Sequence, residues 1–205
     1  MLAIAQKPIS CAEYLTQEEQ SEIRHEYIDG EIISMAGGLP NHNQISSNLC
    51  VALGFDLRRQ PYRVFVADQR LWIPESKIYT YPDVMVVAGE IELQAGRRDT
   101  ITNPVLIAEV LSESTEKRDR TTKFNSYRSI PSFAEYLLIS QEQILVEHFR
   151  KEISSEEGRT ESDRWIYQNY DQLESEITLS SIPVSLKLAA LYDKVGFEKS
   201  QLMED

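Results

Sequence analysis

The sequence predicts a mixed α/β (α+β) fold: a mixed β-sheet flanked by helices and extended by a β-hairpin. Three observations carry this. Two apolar runs, Tyr81–Val87 and Pro104–Leu111, are rich in β-branched residues and have the length and near-continuous hydrophobicity of strands covered on both faces. Between Asn41 and Arg59 the residues Ile45, Leu49, Leu53 and Leu57 recur every fourth position, the pattern of a long amphipathic helix. The polar stretch Ser112–Ser129 after the second run reads as a helix returning along the sheet.

Taken in order, residues 1–9 are expected to be a flexible tail. Ser10 is placed to cap a first helix, with Glu13 as its capping-box partner. Thr16–Glu19 is read as the start of a second helix ending near Tyr27, and Asp29-Gly30 as the turn into a first strand, Glu31–Met35. Gly37–Asn41 is a loop before the long helix. Tyr62–Pro74 is read as one strand paired with Tyr81–Val87, and Gly89–Asn103 as irregular. Phe133–Ser140 and Ile144–Lys151 form a hairpin, and Glu152–Asp163 its acidic, mobile tip. Trp165–Tyr170 and Ile177–Leu179 are strands, Leu186–Val195 a helix, and 198–205 a tail.

A chain of 205 residues, 41% hydrophobic and 26% charged, suits a single domain over residues 10–197. No apolar run reaches the ~20 residues of a membrane span, and the N-terminus lacks the basic start and apolar centre of a secretory signal. A cytoplasmic address follows. Cys11 and Cys50 have neither metal-ligand nor redox spacing and are expected to be reduced core thiols. A net charge of −12 weighs against a dedicated DNA-binding surface, although the basic residues gather centrally while acids crowd the C-terminal third.

Each of the two apolar strands carries one carboxylate, Asp83 and Glu109. A carboxylate inside such a strand is costly to keep ionised unless something positive meets it. Two of them on neighbouring strands suggest a metal site. Glu109 shares a strand face with Val105, Ile107 and Leu111. It lies roughly 10 Å before the strand's end at ~3.3 Å per residue, and Lys123 lies roughly 12 Å into a returning helix that starts near Thr115. The two therefore match in height, whereas Lys117 sits too near the turn. Blander readings stand beside these. Asp83 suits a turn acceptor, Lys123 a structural ion pair with Glu109, and Glu26 competes with Glu31 as a third acid. Tyr127 is expected to pack the lysine stem, and His25 and His148 to be structural or surface residues; His42, at the start of the long helix near a glycine loop, is placed to approach the site, with a cap-region histidine as the default reading. Paired arginines at 58–59 and 97–98 are read as solvated faces.

The order Glu26-Tyr27-Ile28-Asp29-Gly30-Glu31, Tyr81-Pro82-Asp83-Val84, Ile107-Ala108-Glu109-Val110-Leu111-Ser112, then Lys123 with Tyr127, resembles the Uma-type restriction endonuclease family of the PD-(D/E)XK nuclease superfamily. The resemblance covers the chain from about Ser10 to the last helix and implies a restriction-endonuclease-like fold. Leu111 stands where the superfamily has a lysine; the resemblance implies that Lys123 replaces it. It further implies metal-dependent phosphodiester hydrolysis, of DNA, by a homodimer, with no membrane partner. Mg²⁺ or Mn²⁺ would be held by Asp83, Glu109 and the backbone carbonyl of Val110. Lys123 would position or deprotonate water or balance charge, and Glu26, from the first helical region, would complete the acidic cluster. Two rivals remain: a nuclease-fold binding protein without activity, and a phosphodiesterase for small nucleotides.

Overall fold

The structure is a computed structural model that describes residues 8–35, 37–152 and 164–197. Helix α1 (Cys11–Gln20) begins with the expected capping box: the Glu13 N–H donates to the Ser10 hydroxyl oxygen, and the Ser10 N–H donates to the Glu13 carboxylate. No second helix follows. The run Thr16–Glu19 completes α1, and strands β1 (His25–Ile28) and β2 (Glu31–Ser34) form a tight hairpin. Its two loop residues have positive φ, 46° at Asp29 and 92° at Gly30, as the right-handed twist of two-residue hairpins demands. Glu26 is therefore on a strand, not at a helix end. The Ile9 N–H reaches the Gly30 carbonyl at 3.1 Å, so the last part of the expected N-terminal tail is held against this turn. Residues 1–7, the C-terminal tail 198–205, and most of the acidic tip (153–163) lie outside the described residues.

Helix α2 (Pro40–Leu57) buries Ile45, Leu49, Leu53 and Leu57, as their spacing predicts. Each such side chain removed from water contributes about 1.5–3 kcal/mol. The single strand expected over 62–74 is two: β3 (Tyr62–Val66) and β4 (Arg70–Ile73), separated at Ala67, whose φ is 32°. Strand β4 pairs with β5 (Ile78–Thr80), while β3 pairs with β6 (Val84–Ala88) in a different sheet. The chain thus crosses between sheets at 67–69 and returns at 81–83, which puts Asp83 at their junction. Within the stretch expected to be irregular, β7 (Thr100–Ile101) runs parallel to β4.

The centre of the molecule is β8 (Leu106–Leu111), antiparallel to β6 and parallel to β9 (Glu135–Ser140). With β10 (Val146–Lys151) and β11 (Trp165–Tyr170) they make a mixed sheet in the order β11-β10-β9-β8-β6-β3, in which β9 and β10 are the predicted hairpin and β11 adds to its edge. The second sheet has the order β2-β1-β5-β4-β7. A small pair, β12 (Glu176–Thr178) and β13 (Ser185–Lys187), leads into a short helix near the C-terminus, Leu188–Leu191. Leu106, Ala108 and Val110 face α2, while Ile107 and Leu111 face Tyr127 and Tyr136. Val105, ahead of β8, turns toward the α2 side, not the face of Glu109.

From Ser112 the chain returns as a helical stretch in three parts: α3 (Glu116–Arg118), a π-helical turn (Asp119–Lys123), and α4 (Phe124–Tyr127). The terminal helix is α5 (Leu188–Leu191). Cys11 and Cys50 are unpaired and half-buried, less enclosed than core thiols. Among the described residues no helix is long and apolar enough to cross a membrane.

Candidate active site

Asp83 and Glu109 meet where β6 begins and β8 ends. Val84 pairs with Ala108, so the two acids stand opposite each other one step further along the ladder. Each carboxylate takes a backbone N–H from the other's strand: Val110 donates to Asp83 Oδ2 at 2.7 Å, and Asp83 donates to Glu109 Oε2 at 3.3 Å. In a strand the N–H and C=O of one residue point to the same side. The Val110 carbonyl therefore shares the side on which its N–H meets Asp83.

Lys123 arrives from the returning helix at the height expected. Its Nζ lies 3.2 Å from Glu109 Oε1, 2.9 Å from Glu26 Oε1 and 3.1 Å from Asp119 Oδ1. All four groups are nearly inaccessible to solvent. Glu26 is also held by the Thr80 hydroxyl and by Arg118 Nη1 at 3.1 Å, whereas Glu31 is exposed. Of the two acids flanking the Asp29-Gly30 turn, only Glu26 joins the cluster. Tyr127 does more than pack a stem: its hydroxyl donates to Glu109 Oε1 at 2.7 Å.

Two further groups join the cluster: Asp119, which was not singled out in the sequence, and His42, whose approach to the site was the alternative to a cap-region role. Asp119, Lys123 and Tyr127 are spaced four apart and share one helix face, a signal the sequence carried. The π turn that contains Asp119 and Lys123 widens the helix at this point, a distortion that recurs at functional sites. His42 comes from the opposite side of the sheet, from the start of α2, and places Nε2 3.3 Å from Asp83 Oδ2. Asp83 is accessible to both sides only because it lies at the strand's end. His25 and His148 pair with Glu18 (3.0 Å) and Glu135 (2.6 Å) away from the cluster. Arg97 is occupied by Glu19 and Asp99.

The cluster is under-neutralised. With all four ionised, the carboxylates Glu26, Asp83, Glu109 and Asp119 would exceed the two fixed cations, Lys123 and Arg118, by two negative charges. A proton on Glu109 and a charged His42 beside Asp83 offset that excess when no other cation is present. Burial works to raise the Glu26 pKa, but Lys123, Thr80 and Arg118 outweigh it and hold the carboxyl below its usual value. At Glu109 burial prevails, reinforced by Asp119 and Asp83, and the pKa rises to about 8 despite Lys123 and Tyr127. Lys123 behaves oppositely. Burial favours the neutral amine, but Glu109, Glu26 and Asp119 hold it charged, with a pKa well above the ordinary one. Among these carboxylates the amine is held as an ammonium. Burial also disfavours a charged His42, yet the hydrogen bond and charge of Asp83 raise its pKa.

The acids line a cavity of about 730 Å³ bordered by the loop before α2, Val110, Ser112–Thr115, Arg118 and Gln141. Among the described residues no three His, Cys, Asp or Glu side chains converge as a ready-made metal cage. Two cross-strand carboxylates with excess negative charge, beside a cavity that admits water, match the partial, water-completed ligation preferred by Mg²⁺.

Comparison with known proteins agrees with this architecture. The chain is 46% identical over 151 residues to Uncharacterized protein sll1609 of Synechocystis sp. (strain ATCC 27184 / PCC 6803 / Kazusa), covering 74% of this chain and 85% of that protein. Uncharacterized protein slr1290 of the same organism is 33% identical over 191 residues, covering 92% and 94% of the respective chains. A crystal structure from Anabaena variabilis ATCC 29413, described as "a putative nuclease belonging to DUF820", superposes with a TM-score of 0.70 at 19% identity over 91% of this chain and 98% of that one. It shares the fold. The model of the Uma2 family, described as "Putative restriction endonuclease", matches residues 11–190, and the chain belongs to that family.

Proposed function

We propose that the protein is a metal-dependent nuclease that hydrolyses phosphodiester bonds of nucleic acid, DNA in the first instance. The observation that carries this reading is the pair Asp83 and Glu109, side by side at a sheet end, in a cluster with more carboxylates than fixed cations that opens into a cavity. Asp83, Glu109 and the Val110 carbonyl would hold Mg²⁺ or Mn²⁺, whose oxygen preference suits them. When bound, such an ion polarises the phosphoryl oxygens and lowers the pKa of water.

The chain's own groups then have defined work. Tyr127 and Lys123 fix one oxygen of Glu109 so that the other faces Asp83. Lys123 keeps three carboxylates together, and Glu26 with Arg118 anchors that amine from β1. A homodimer would bring two such sites to the two strands of a duplex, and the cytoplasm is the matching location. The cavity's volume also falls in the range of small-ligand sites, and with the net charge of −12 it favours a small nucleotide as the second reading.

Incubation with plasmid, single-stranded DNA, RNA and a cyclic dinucleotide in Mg²⁺ or Mn²⁺, beside Asp83→Ala and Glu109→Ala, tests this. Metal-dependent cleavage should fall at least about a hundredfold in either variant, the scale on which loss of a charge-stabilising group acts. Cleavage of nothing by the folded wild type, or cleavage untouched by both substitutions, would remove the reading.

A further inference from the structure

Six carboxylates border the cavity: Glu26, Asp83, Glu109, Glu113, Asp119 and Glu142. The fixed cations on the same wall are two, Arg118 and Lys123. A substrate phosphate that enters such a cavity needs a cation whose donors are not already engaged. Lys123 is not one. Its ammonium has three N–H groups, and Glu26, Glu109 and Asp119 each place an oxygen within 3.2 Å of Nζ. His42 is no better placed, because its Nε2 lies against Asp83 and its Nδ1 is enclosed. We propose that Arg118 grips a phosphodiester group of the substrate with the part of its guanidinium that Glu26 leaves free. This deepens the nuclease reading and rests on it.

Arg118 lines the cavity with its side chain 27% exposed, against 5% for Lys123. A guanidinium carries five N–H donors in a planar fork. Nη1 donates to Glu26 Oε2 at 3.1 Å, and among the described residues Nε and Nη2 meet no acceptor. Glu26 is itself fixed by the Thr80 hydroxyl and by Lys123, so one corner of the guanidinium is pinned to the wall. A fork held in this way gives up little further freedom when an anion arrives, and its paired N–H groups match two oxygens of one phosphate. The adjoining turn adds donors. The Arg118 N–H reaches the Thr115 carbonyl at 2.8 Å, and side chains three apart on a helical turn share a face. Ser112 Oγ lies 3.2 Å from Ser114 Oγ and 2.9 Å from Thr115 Oγ1. Two links among three hydroxyls use two of their protons, which leaves one to donate. All of these residues border the cavity, and Ser112 directly follows the strand that carries Glu109. Of the acids on the wall, Glu113 and Glu142 are exposed, so water and salt screen them.

The test is an NMR titration of protein carrying isotope-labelled arginine, in Ca²⁺ buffer, with a thymidine tetranucleotide and with its uncharged methylphosphonate counterpart. The Arg118 Nε–H resonance should shift to saturation with the phosphodiester and stay in place with the analogue. Arg118→Gln should weaken phosphodiester binding about tenfold, the scale of one hydrogen bond to a charged group. Arg118→Lys keeps the charge but loses the fork, and should recover only part of the affinity. Neither variant should change binding of the analogue, whereas an arginine that only steadied Glu26 would lower affinity for both ligands alike. Equal losses for the two ligands, unchanged affinity in Arg118→Gln, full affinity in Arg118→Lys, or an Nε–H resonance that does not move would overturn the inference. The wild-type comparison decides alone if a variant does not fold. A phosphodiester-selective shift at Arg118 without cleavage of any nucleic acid sinks the nuclease reading only, whereas cleavage with Arg118 unmoved sinks this inference only.

Discussion

Glu109 and Glu135 are buried on neighbouring parallel strands, β8 and β9, at opposite ends of one ladder: Glu109 stands beside Leu138, and Glu135 beside Leu106. Glu135 is fully met. His148 Nε2 lies 2.6 Å from it, the Ser180 and Ser181 N–H groups donate at 2.9 Å each, and both serine hydroxyls add to these. Burial alone would raise its pKa, but His148, Ser181 and the two backbone donors win, so it stays ionised below the usual range. It pins the 180–181 segment to the sheet and borders no part of the cavity. Glu109 shares one ammonium with two other carboxylates, faces Asp83, and lies against the cavity. A satisfied buried acid serves the fold; an under-neutralised one beside a cavity is kept for something that binds.

The largest effect expected breaks this contrast open from both sides. Lys123→Met leaves Glu109 and Asp119 without their cation and Glu26 with Arg118 alone, and Glu135→Ala leaves His148 and two serine N–H groups without their acceptor. Removing one partner of a buried pair costs about 3–5 kcal/mol, so both variants should unfold at clearly lower denaturant. Mg²⁺ should restore part of the loss in Lys123→Met, by supplying positive charge to the acid cluster, and should do nothing for Glu135→Ala. Urea unfolding with and without Mg²⁺ reads this directly. Equal rescue of the two variants would mean that the ion acts elsewhere.

Much of this arrangement was legible in the chain, and the reasons differ by element. Glu109 and Lys123 were matched because strand rise and helix rise are fixed numbers, so heights can be computed across one short turn. The face of α2 was legible from a single repeated spacing. The helix-starting composition of Thr16–Glu19 carries an expected helix as far as Glu26, whereas Asp29-Gly30, flanked by Tyr27 and Ile32, also fits the two-residue hairpin that forms. Strand 62–74 was read as one because nothing in Ala67-Asp68-Gln69 signals that the chain changes sheets; that is decided by pairing with β5 and β6. His42 is legible as a residue near the site but not as the partner of Asp83, for a related reason. It comes from a helix on the other side of the sheet, and only Asp83's position at a strand end lets both faces reach it.

A second measurement follows the acid side of the stability profile. The lowered pKa of Glu135 means that its contribution is fully present above the ordinary glutamate value of 4.5 and is lost as pH falls through its lower native value. Glu135→Gln keeps the shape but sets an NH₂ against donors, and should cost about 1–3 kcal/mol at neutral pH. Its stability should then approach that of the wild type as the pH falls below 4.5 and through the lower native value, where the wild-type carboxyl also takes up a proton. Parallel curves for the two proteins across that range would show that Glu135 is not the titrating anchor.

The smallest expected effect is the most discriminating. Glu109→Gln retains an oxygen for the Tyr127 hydroxyl and for Lys123, and makes permanently neutral a group that burial already pushes towards its neutral form. The other position, now NH₂, meets only the long 3.3 Å contact from the Asp83 N–H and the cavity beside it. An amide therefore fits where the carboxylate was crowded, and stability without metal should stay within about 1 kcal/mol of the wild type, the usual scale of a change that breaks no satisfied buried network. Cleavage should be lost in the same variant, since a neutral amide is a poor ligand for a hard divalent ion. The equivalent change at Glu135 has the opposite signature: stability is lost and cleavage by the remaining folded protein is kept. If Glu109→Gln is as destabilising as Glu135→Gln, then Glu109 is a second structural anchor and the two ends of the ladder are alike.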